Sequence, residues 1–596
     1  MISSSFMSLP SVFKAFFILF IFIGISPLCA QQQSQELYQH SSEMTEHVIR
    51  YYQDVRTLKD FYSPRAANRF SYQTILNSPF QRQRLEEVNQ AYLKEIDQFS
   101  FDQLRVNGQV DYILLKNQVE KSLEQLAEEE TNYQEIVSYI PFSDAIYGLE
   151  ARRLRGSTLD GEQVATQLNK VATVIKQQLE AINEGPKIDM KQASFAQESI
   201  LALQARLKNV YDFYNEYDPL FSWWVPITYH KVDSLLGQYA KKIVEKGEIR
   251  TGQKADDSGI KGNPIGGDEL NKQLRREFIP YTPQELIALA NQEFAWCDNE
   301  LLKASAEMGF GKDWKQAQEQ VKNSYVEPGK QPELIIKLYN DAKSFITERD
   351  WITWPELADE TWGMIMMTPE RQLVNPFFTG GREISISYPT QDMTYEDKMM
   401  SMRGNNPYFS RGTVQHELIP GHHLQYFMNS RYKPYRSEFR TPFYTEGWSL
   451  YWELLLYEHG FAKTPEERIG MLFWRMHRCA RIIFSLNYHL GKWSPQECID
   501  FLVDRVGFER ANAEGEVRRS FQGNYPPLYQ AAYLLGGIQI MGLKRELVDN
   551  GKMSIKEFHD AFMRENQLPI ELMRAILANQ ELSKDFKTSW KFYDFK

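Results

Sequence analysis

The chain has 596 residues, of which 42% are hydrophobic and 24% charged. That is ordinary globular composition, so general disorder is excluded, and the length allows a large core and more than one domain. The formal charge of −10 comes without a basic stripe, which argues against nucleic acid as a partner.

In chain order, Lys14 precedes an apolar run over 15–25, followed by Ser26-Pro27-Leu28-Cys29-Ala30. This reads as a signal peptide over 1–30, cut after Ala30, and implies a periplasmic or secreted protein. The run is short for a membrane span, and no later segment is apolar enough to be one. The rival reading is lipid attachment at Cys29, for which Leu28 is a poor preceding residue. Cleavage leaves Cys297, Cys479 and Cys498, which cannot all pair, and buried free thiols are expected.

Residues 31–250 read as an N-terminal helical lobe. Apolar residues recur at helical intervals in 37–62, 80–99, 104–130, 168–183, 194–217 and 232–248. The aromatic cluster Phe221-Ser222-Trp223-Trp224-Val225-Pro226 suggests a buried turn. Residues 251–270 carry five glycines together with Ser258 and Pro264 and mark a loop between lobes. No fixed-period repeat occurs, so a solenoid is not indicated.

Residues 271–596 form the expected catalytic lobe. Thr282-Pro283-Gln284-Glu285 is a capping box with proline at the first helical position, opening a helix to about Met308. Further helical pieces follow over 313–321, 333–348 and 354–362. One stretch, 382–388, alternates instead, with Ile384, Ile386 and Tyr388 on one face. Its edge suits either an extended peptide or a small structural hairpin. The fold class is therefore mainly α, with a small β-element near the histidine cluster described next.

That cluster is His416-Glu417-Leu418-Ile419-Pro420-Gly421-His422-His423, and Glu446-Gly447-Trp448 follows on an apolar run. A zinc hydrolase needs three protein ligands and an open position for water, with a carboxylate nearby to take a proton. The common helical solution places histidines at i and i+4, with glutamate after the first. Here position 420 is proline. On a straight helix His423 would share the azimuth of His416 but lie about 10.5 Å along the axis, and His422 would be turned about 120° away. Pro420-Gly421 should therefore bulge the helix and bring His422 to the i+4 place. The expected ligands are His416, His422 and Glu446, with His423 as the alternative second ligand and otherwise facing substrate. Glu417 is the expected general base. Glu446 sits on a helix apolar on most sides, where an acid needs a cationic partner. Glu453, seven residues on, shares its face and could orient a ligand histidine.

The motif His-Glu-x-x-Pro-Gly-His-His-Leu-Gln followed by Glu-Gly-Trp-x-Leu-Tyr resembles a large, mostly bacterial family known as DUF885. It is also similar to the helical glutamate-ligand zinc peptidases, which include angiotensin-converting enzyme and the thimet oligopeptidases. The resemblance implies a two-lobed helical fold with a deep cleft, one Zn2+ ion and short peptide substrates. It further implies a tyrosine or histidine that donates to the developing oxyanion, for which His489 and Tyr533 are candidates, with Tyr529 behind them. Arg518 and Arg519 could fix a substrate carboxylate, since a guanidinium fork matches its geometry. The spacing of His459 and His477 implies no role. The expected function is an exported zinc metallopeptidase. The alternatives are a zinc hydrolase of non-peptide amides or esters and a non-catalytic helical protein that keeps a metal for structure.

Overall fold

The computed structural model describes residues 41–63, 76–248, 256–374, 377–522 and 525–595. The expected signal peptide, Cys29 and the first part of the 251–270 loop lie outside them. The described chain is mainly helical, with two small parallel two-stranded sheets, β1 (Ile188–Asp189) with β2 (Gly247–Glu248) and β3 (Gly363–Met366) with β4 (Glu383–Ile386). Among the described residues no helix is long and apolar enough to cross a membrane.

Helix α1 (Thr45–Tyr62) leads to the long α2 (Val106–Ile136), whose two ends lie in different hydrophobic cores. Its first half buries Val110, Leu114 and Val119 in a core that also takes in residues from 260 to 592. Its second half buries Tyr133 and Ile136 in a separate core with α3 (Gly161–Glu184), α4 (Met190–Tyr214) and α5 (Pro226–Glu245). The expected lobe over 31–250 thus divides between two cores. Asp111 shows why, because a fully buried acid must find a cation. It accepts from Arg436 Nε at 2.8 Å and from Tyr435 Oη at 2.6 Å, both far along the chain. Arg436 also donates to Glu565 Oε2 at 2.6 Å and Asn107 Oδ1 at 2.7 Å.

Local sequence explains many element boundaries. Thr282 opens α6 (Pro283–Glu307) with the expected box: its Oγ1 accepts from Glu285 N and its N–H donates to Glu285 Oε2. The same exchange between Thr464 and Glu467 opens the long helix Pro465–His489, against which α6 packs. Each such cap contributes about 1 kcal/mol. The aromatic cluster departs from expectation. It forms a short helix, Pro219–Trp224, in which Phe221 and Val225 turn inward one helical turn apart. Trp223 and Trp224 consequently face solvent, 79% and 43% exposed.

The expected strand over 382–388 is shorter, and its two-faced alternation fails because Ser385 is buried with Ile384 and Ile386. Both edges of β4 are occupied. β3 pairs along one, and Thr379 bridges Ser385 on the other through Thr379 N to Ser385 O at 3.1 Å and Ser385 N to Thr379 O at 2.7 Å. Cys297, Cys479 and Cys498 are free and buried.

Four further helices gather around α7 (Pro407–Glu417). These are α8 (His422–Asn429), α9 (Pro442–Glu458), α10 (Pro465–His489) and, after α11 (Arg510–Gln522), α12 (Tyr529–Lys544). Glycines permit the close approaches. A Cβ on Gly447 of α9 would lie 2.6 Å from Gly536 Cα on α12, and one on Gly470 of α10 would lie 2.1 Å from Tyr408 O on α7. Helix α13 (Ile555–Arg564) closes this side with His559, which is fully buried.

His559 Nδ1 donates to Trp351 O at 2.7 Å, and its Nε2 accepts from Tyr451 Oη at 2.7 Å. That pattern requires the neutral ring, and burial chiefly holds its pKa down to about 3. An unfolded histidine takes up its proton near 6.5, so the stability gained from the neutral ring is complete above that pH and lost as pH falls toward 3. The slope per proton is about 1.4 kcal/mol per pH unit. His559→Asn keeps the inward N–H but cannot titrate. Its thermal midpoint should lie below that of the parent at pH 8 and approach it by pH 4; a gap constant with pH would exclude this account.

Candidate metal centre

Asn406 starts α7 by accepting from Tyr408 N and Phe409 N, each at 3.0 Å. The helix ends at Glu417, where Leu418 takes ψ −120° and Gly421 takes ψ −133°, with a cis peptide between Ile419 and Pro420. The expected bulge within one helix is therefore two helices joined by a turn, because proline offers no N–H and neither flanking residue is helical. Gly421 N donates to Gln415 O at 3.0 Å, and Trp448 Nε1 donates to Pro420 O at 2.7 Å. A Cβ at 421 would lie 1.9 Å from His416 O, so the turn requires glycine there. α8 begins at His422, whose ring meets that of His416 edge-on with centroids 4.8 Å apart.

Glu446 lies in the second turn of α9, which opens at Pro442 rather than at Glu446 itself. Its Oε2 is 3.5 Å from His416 Nε2 and 3.3 Å from His422 Nε2. Three donors at about 2.1 Å around one tetrahedral ion would lie about 3.4 Å apart. Both distances from Glu446 Oε2 match that spacing, and ligand atoms of the two histidines lie within 4.8 Å of each other. Oε2 also makes no well-formed hydrogen bond although it is buried, as an atom kept for an ion would be. Glu417 is a second carboxylate at the site, with a ligand atom within 4.8 Å of those of both histidines. Glu446 Oε2 faces both ring nitrogens and is the candidate ligand, with Glu417 beside it at the cavity.

The remaining nitrogens are held from behind. His416 Nδ1 lies 2.7 Å from Glu453 Oε1, which also accepts from Arg478 Nη2 at 3.3 Å. His422 Nδ1 faces Gln425 Oε1 at 3.2 Å and Ser449 Oγ at 3.3 Å. Burial opposes charge on His416, but the Glu446 and Glu453 carboxylates outweigh it and hold its pKa up to about 9. Burial raises Glu446 in turn, and the two histidines more than offset this, holding it well below the ordinary carboxylate range. The carboxylates that favour a proton on His416 would also favour a cation in front of its Nε2, which would displace that proton.

His423, one position further on α8, points away. Its Nδ1 faces Arg382 O at 3.1 Å and its Nε2 faces Ala358 O at 2.8 Å, so neither nitrogen is directed at the centre. The 100° step per residue separates it from His422.

A cavity of about 320 Å³ adjoins the centre. It is lined by His416, Glu417, His422 and Glu446, and by Tyr529, Tyr533 and Arg519. Tyr529 Oη donates to Glu446 Oε1 at 2.6 Å, while the Tyr533 ring lies nearly parallel to that of His416 with centroids 6.4 Å apart. His489 does not reach the cavity. It lies eleven residues beyond Arg478 on α10, about 16 Å along the axis, packed on Tyr488 and Phe521. Burial lowers its pKa to about 4. Arg518 is exposed and bonds Gln522 and Ser258, so of the two arginines Arg519 alone faces inward.

Several lining residues escape sequence reasoning. Tyr426 stands one turn after His422 on α8, and His477, Arg478 and Arg481 come from α10. Their available signal is two arginines three residues apart on a helix otherwise rich in apolar side chains. Across the cavity, a Cβ on Gly380 would touch Glu417 Oε2 at 2.4 Å, so the segment 377–380 passes directly over the glutamate.

The Trp448 bond to Pro420 O fixes the turn that separates the two histidines. Trp448→Phe should leave that carbonyl unpaired in the core and cost about 1–3 kcal/mol. Thermal melting against the parent reads the loss, and an unchanged midpoint would show that the turn holds without the bond.

The comparisons with known proteins agree with the helical architecture. Residues 72–577 match the family described as "Bacterial protein of unknown function (DUF885)". Among solved structures, the chain is similar to a "putative lipoprotein of unknown function" from Shewanella oneidensis, with TM-score 0.60 and 16% identity, covering 90% of this chain and 100% of that one. It is also similar to a "putative lipoprotein" from Colwellia psychrerythraea, with TM-score 0.54 and 15% identity, covering 90% and 99%. No curated protein matches. With the family match running through both cores and the helices of the candidate centre, the chain belongs to the DUF885 family.

Proposed function

We propose that this chain is an exported zinc-dependent metallopeptidase that hydrolyses short peptides. The observation that carries the reading is the spacing of His416 Nε2, His422 Nε2 and Glu446 Oε2, with Glu417 left over at the cavity side. Fold likeness to proteins described as lipoproteins supports export. A structural zinc would need a fourth protein ligand, and the orientation of His423 disfavours that alternative.

A bound zinc ion would supply a Lewis acid that polarises the scissile carbonyl and acidifies water. The protein's own groups would do the rest. Glu417 takes the proton of the attacking water and passes it to the departing nitrogen. Glu453, held by Arg478, accepts the Nδ1–H of His416 and so keeps the Nε2 lone pair turned to the centre. Tyr533 and Tyr426 border the cavity and offer hydroxyl groups to the oxygen on which charge develops. The Tyr529 hydroxyl is already committed to Glu446.

A peptide, rather than another amide or an ester, is favoured by the segment over Glu417. Thr379 spends its N–H and C=O on Ser385. By the alternation of an antiparallel bridge, the peptide groups of Phe378 and Gly380 turn to the opposite side, where an extended chain can pair with them. The free edge is therefore this segment and not β4.

Glu417→Gln should keep one zinc per chain and lose at least a hundredfold in peptide hydrolysis. Glu446→Gln should lose the zinc, while His423→Ala should keep it. Metal analysis with mass spectrometry of a digested peptide mixture reads all three. Undiminished turnover in zinc-loaded Glu417→Gln would remove the proposed base.

A further inference from the structure

We propose that the wall of the cavity built by α10 and α11 is a subsite for one free carboxylate. It seats the C-terminus of a peptide one or two residues beyond the bond that is cut, and in that respect rests on the peptidase reading above. The enzyme would thus remove short C-terminal pieces rather than cut in mid-chain.

The argument begins with charge. Three guanidinium groups line this wall, from Arg478, Arg481 and Arg519. Arg478 and Arg481 are 4% and 3% exposed. Two carboxylates serve them. Glu453 accepts from Arg478 at 3.3 Å but already holds His416. Glu516 accepts from Arg481 Nε at 2.7 Å, pairs with Arg519 and accepts from Gln530 Nε2 at 3.0 Å. His477, beside them, is held neutral by burial and by Arg481. A divalent ion at the candidate centre would engage Glu446 and Glu417, leaving neither to the arginines. One positive charge is left over in a dry wall, where an unpaired ion is costly.

The unused donors agree. Arg481 Nη1, Arg519 Nε and Arg478 Nε are buried and have no hydrogen-bond partner in the protein. A carboxylate suits such donors, because its two oxygens accept a guanidinium fork side by side. An N-terminal ammonium group there would meet like charge, which fixes the direction of a bound peptide.

Distance sets how many residues intervene. The Tyr533 ring centroid lies 6.4 Å from that of His416 and 4.3 Å from Arg481 Cζ, so the guanidinium is at most about 11 Å from the His416 ring. An extended chain covers about 3.5 Å per residue. After allowance for the contact between guanidinium and carboxylate, one or two residues fill the gap.

The test uses penta-alanine as free acid, as C-terminal amide and as N-acetylated free acid. With the zinc-loaded full chain, mass spectrometry should show the free acid losing one or two residues from its C-terminus. The amide should be cut at least tenfold more slowly, and N-acetylation should make little difference. A second arm needs no turnover. Calorimetric titration of zinc-loaded Glu417→Gln should show the acid binding at least tenfold more tightly than the amide, and Arg481→Met or Arg519→Gln should reduce that ratio. Equal binding of acid and amide to Glu417→Gln would overturn the subsite, whether or not the parent cuts either peptide. Discrimination in binding with no cleavage of any peptide would leave the subsite standing and overturn the peptidase reading instead.

Discussion

His416 lies between two carboxylates of one helix, and much of the surrounding structure follows from that arrangement. Glu446 and Glu453 are seven residues apart, about two turns, and share a face of α9. One approaches Nε2 of the imidazole and the other Nδ1. Two acids on one ring in a dry core need positive charge close by. Arg478 supplies part of it, and a metal ion in front of Nε2 would supply the rest. The geometry also requires α9 to lie close to α7 while α12 presses on it from behind, which the facing glycines Gly447 and Gly536 allow.

The second histidine is positioned by interruption rather than by helical spacing. A continuous helix would spread His416 and His422 over different azimuths. Ending one helix at Glu417 and starting another at His422 frees the second ring to meet the first edge-on. Adjacent residues of the new helix then diverge, so His422 faces the centre and His423 faces two backbone carbonyls.

That His416, His422 and Glu446 meet is legible in the sequence because the signals are local. A histidine-glutamate pair, a helix-breaking dipeptide and an acid on an apolar helix each carry their meaning in a few residues. Glu453 could be read for the same reason, since a helical period fixes its face. The Thr282–Glu285 cap was legible too, as a purely short-range hydrogen-bond exchange. What failed to show depended on partners distant in the chain or on exact phase. At 418–421 the sequence suggests a bulge where the structure has a turn, because spacing gives a displacement but not a path. His489 is suggested by resemblance alone, and a straight helix carries it away from the site at 1.5 Å per residue. Trp223 looked like core by composition, and phase turned it outward. Arg478 and Arg481 pass in sequence for ordinary helix residues; only folding shows that Arg478 meets Glu453 and that Arg481 shares Glu516 with Arg519.

The buried Arg436 has a consequence for how this protein can be divided. Its guanidinium lies in the segment between α8 and α9, yet half of the charge that answers it comes from Asp111, on a helix that begins at Val106. A fragment holding every donor of the metal centre but starting after that helix would carry a cation in its core with half its counter-charge missing, a deficit of several kcal/mol. The histidines and glutamates are close together in sequence, but the unit that can be inherited or transplanted is nearly the whole chain. Evolution could exchange the loops around such a centre far more readily than it could detach the centre itself.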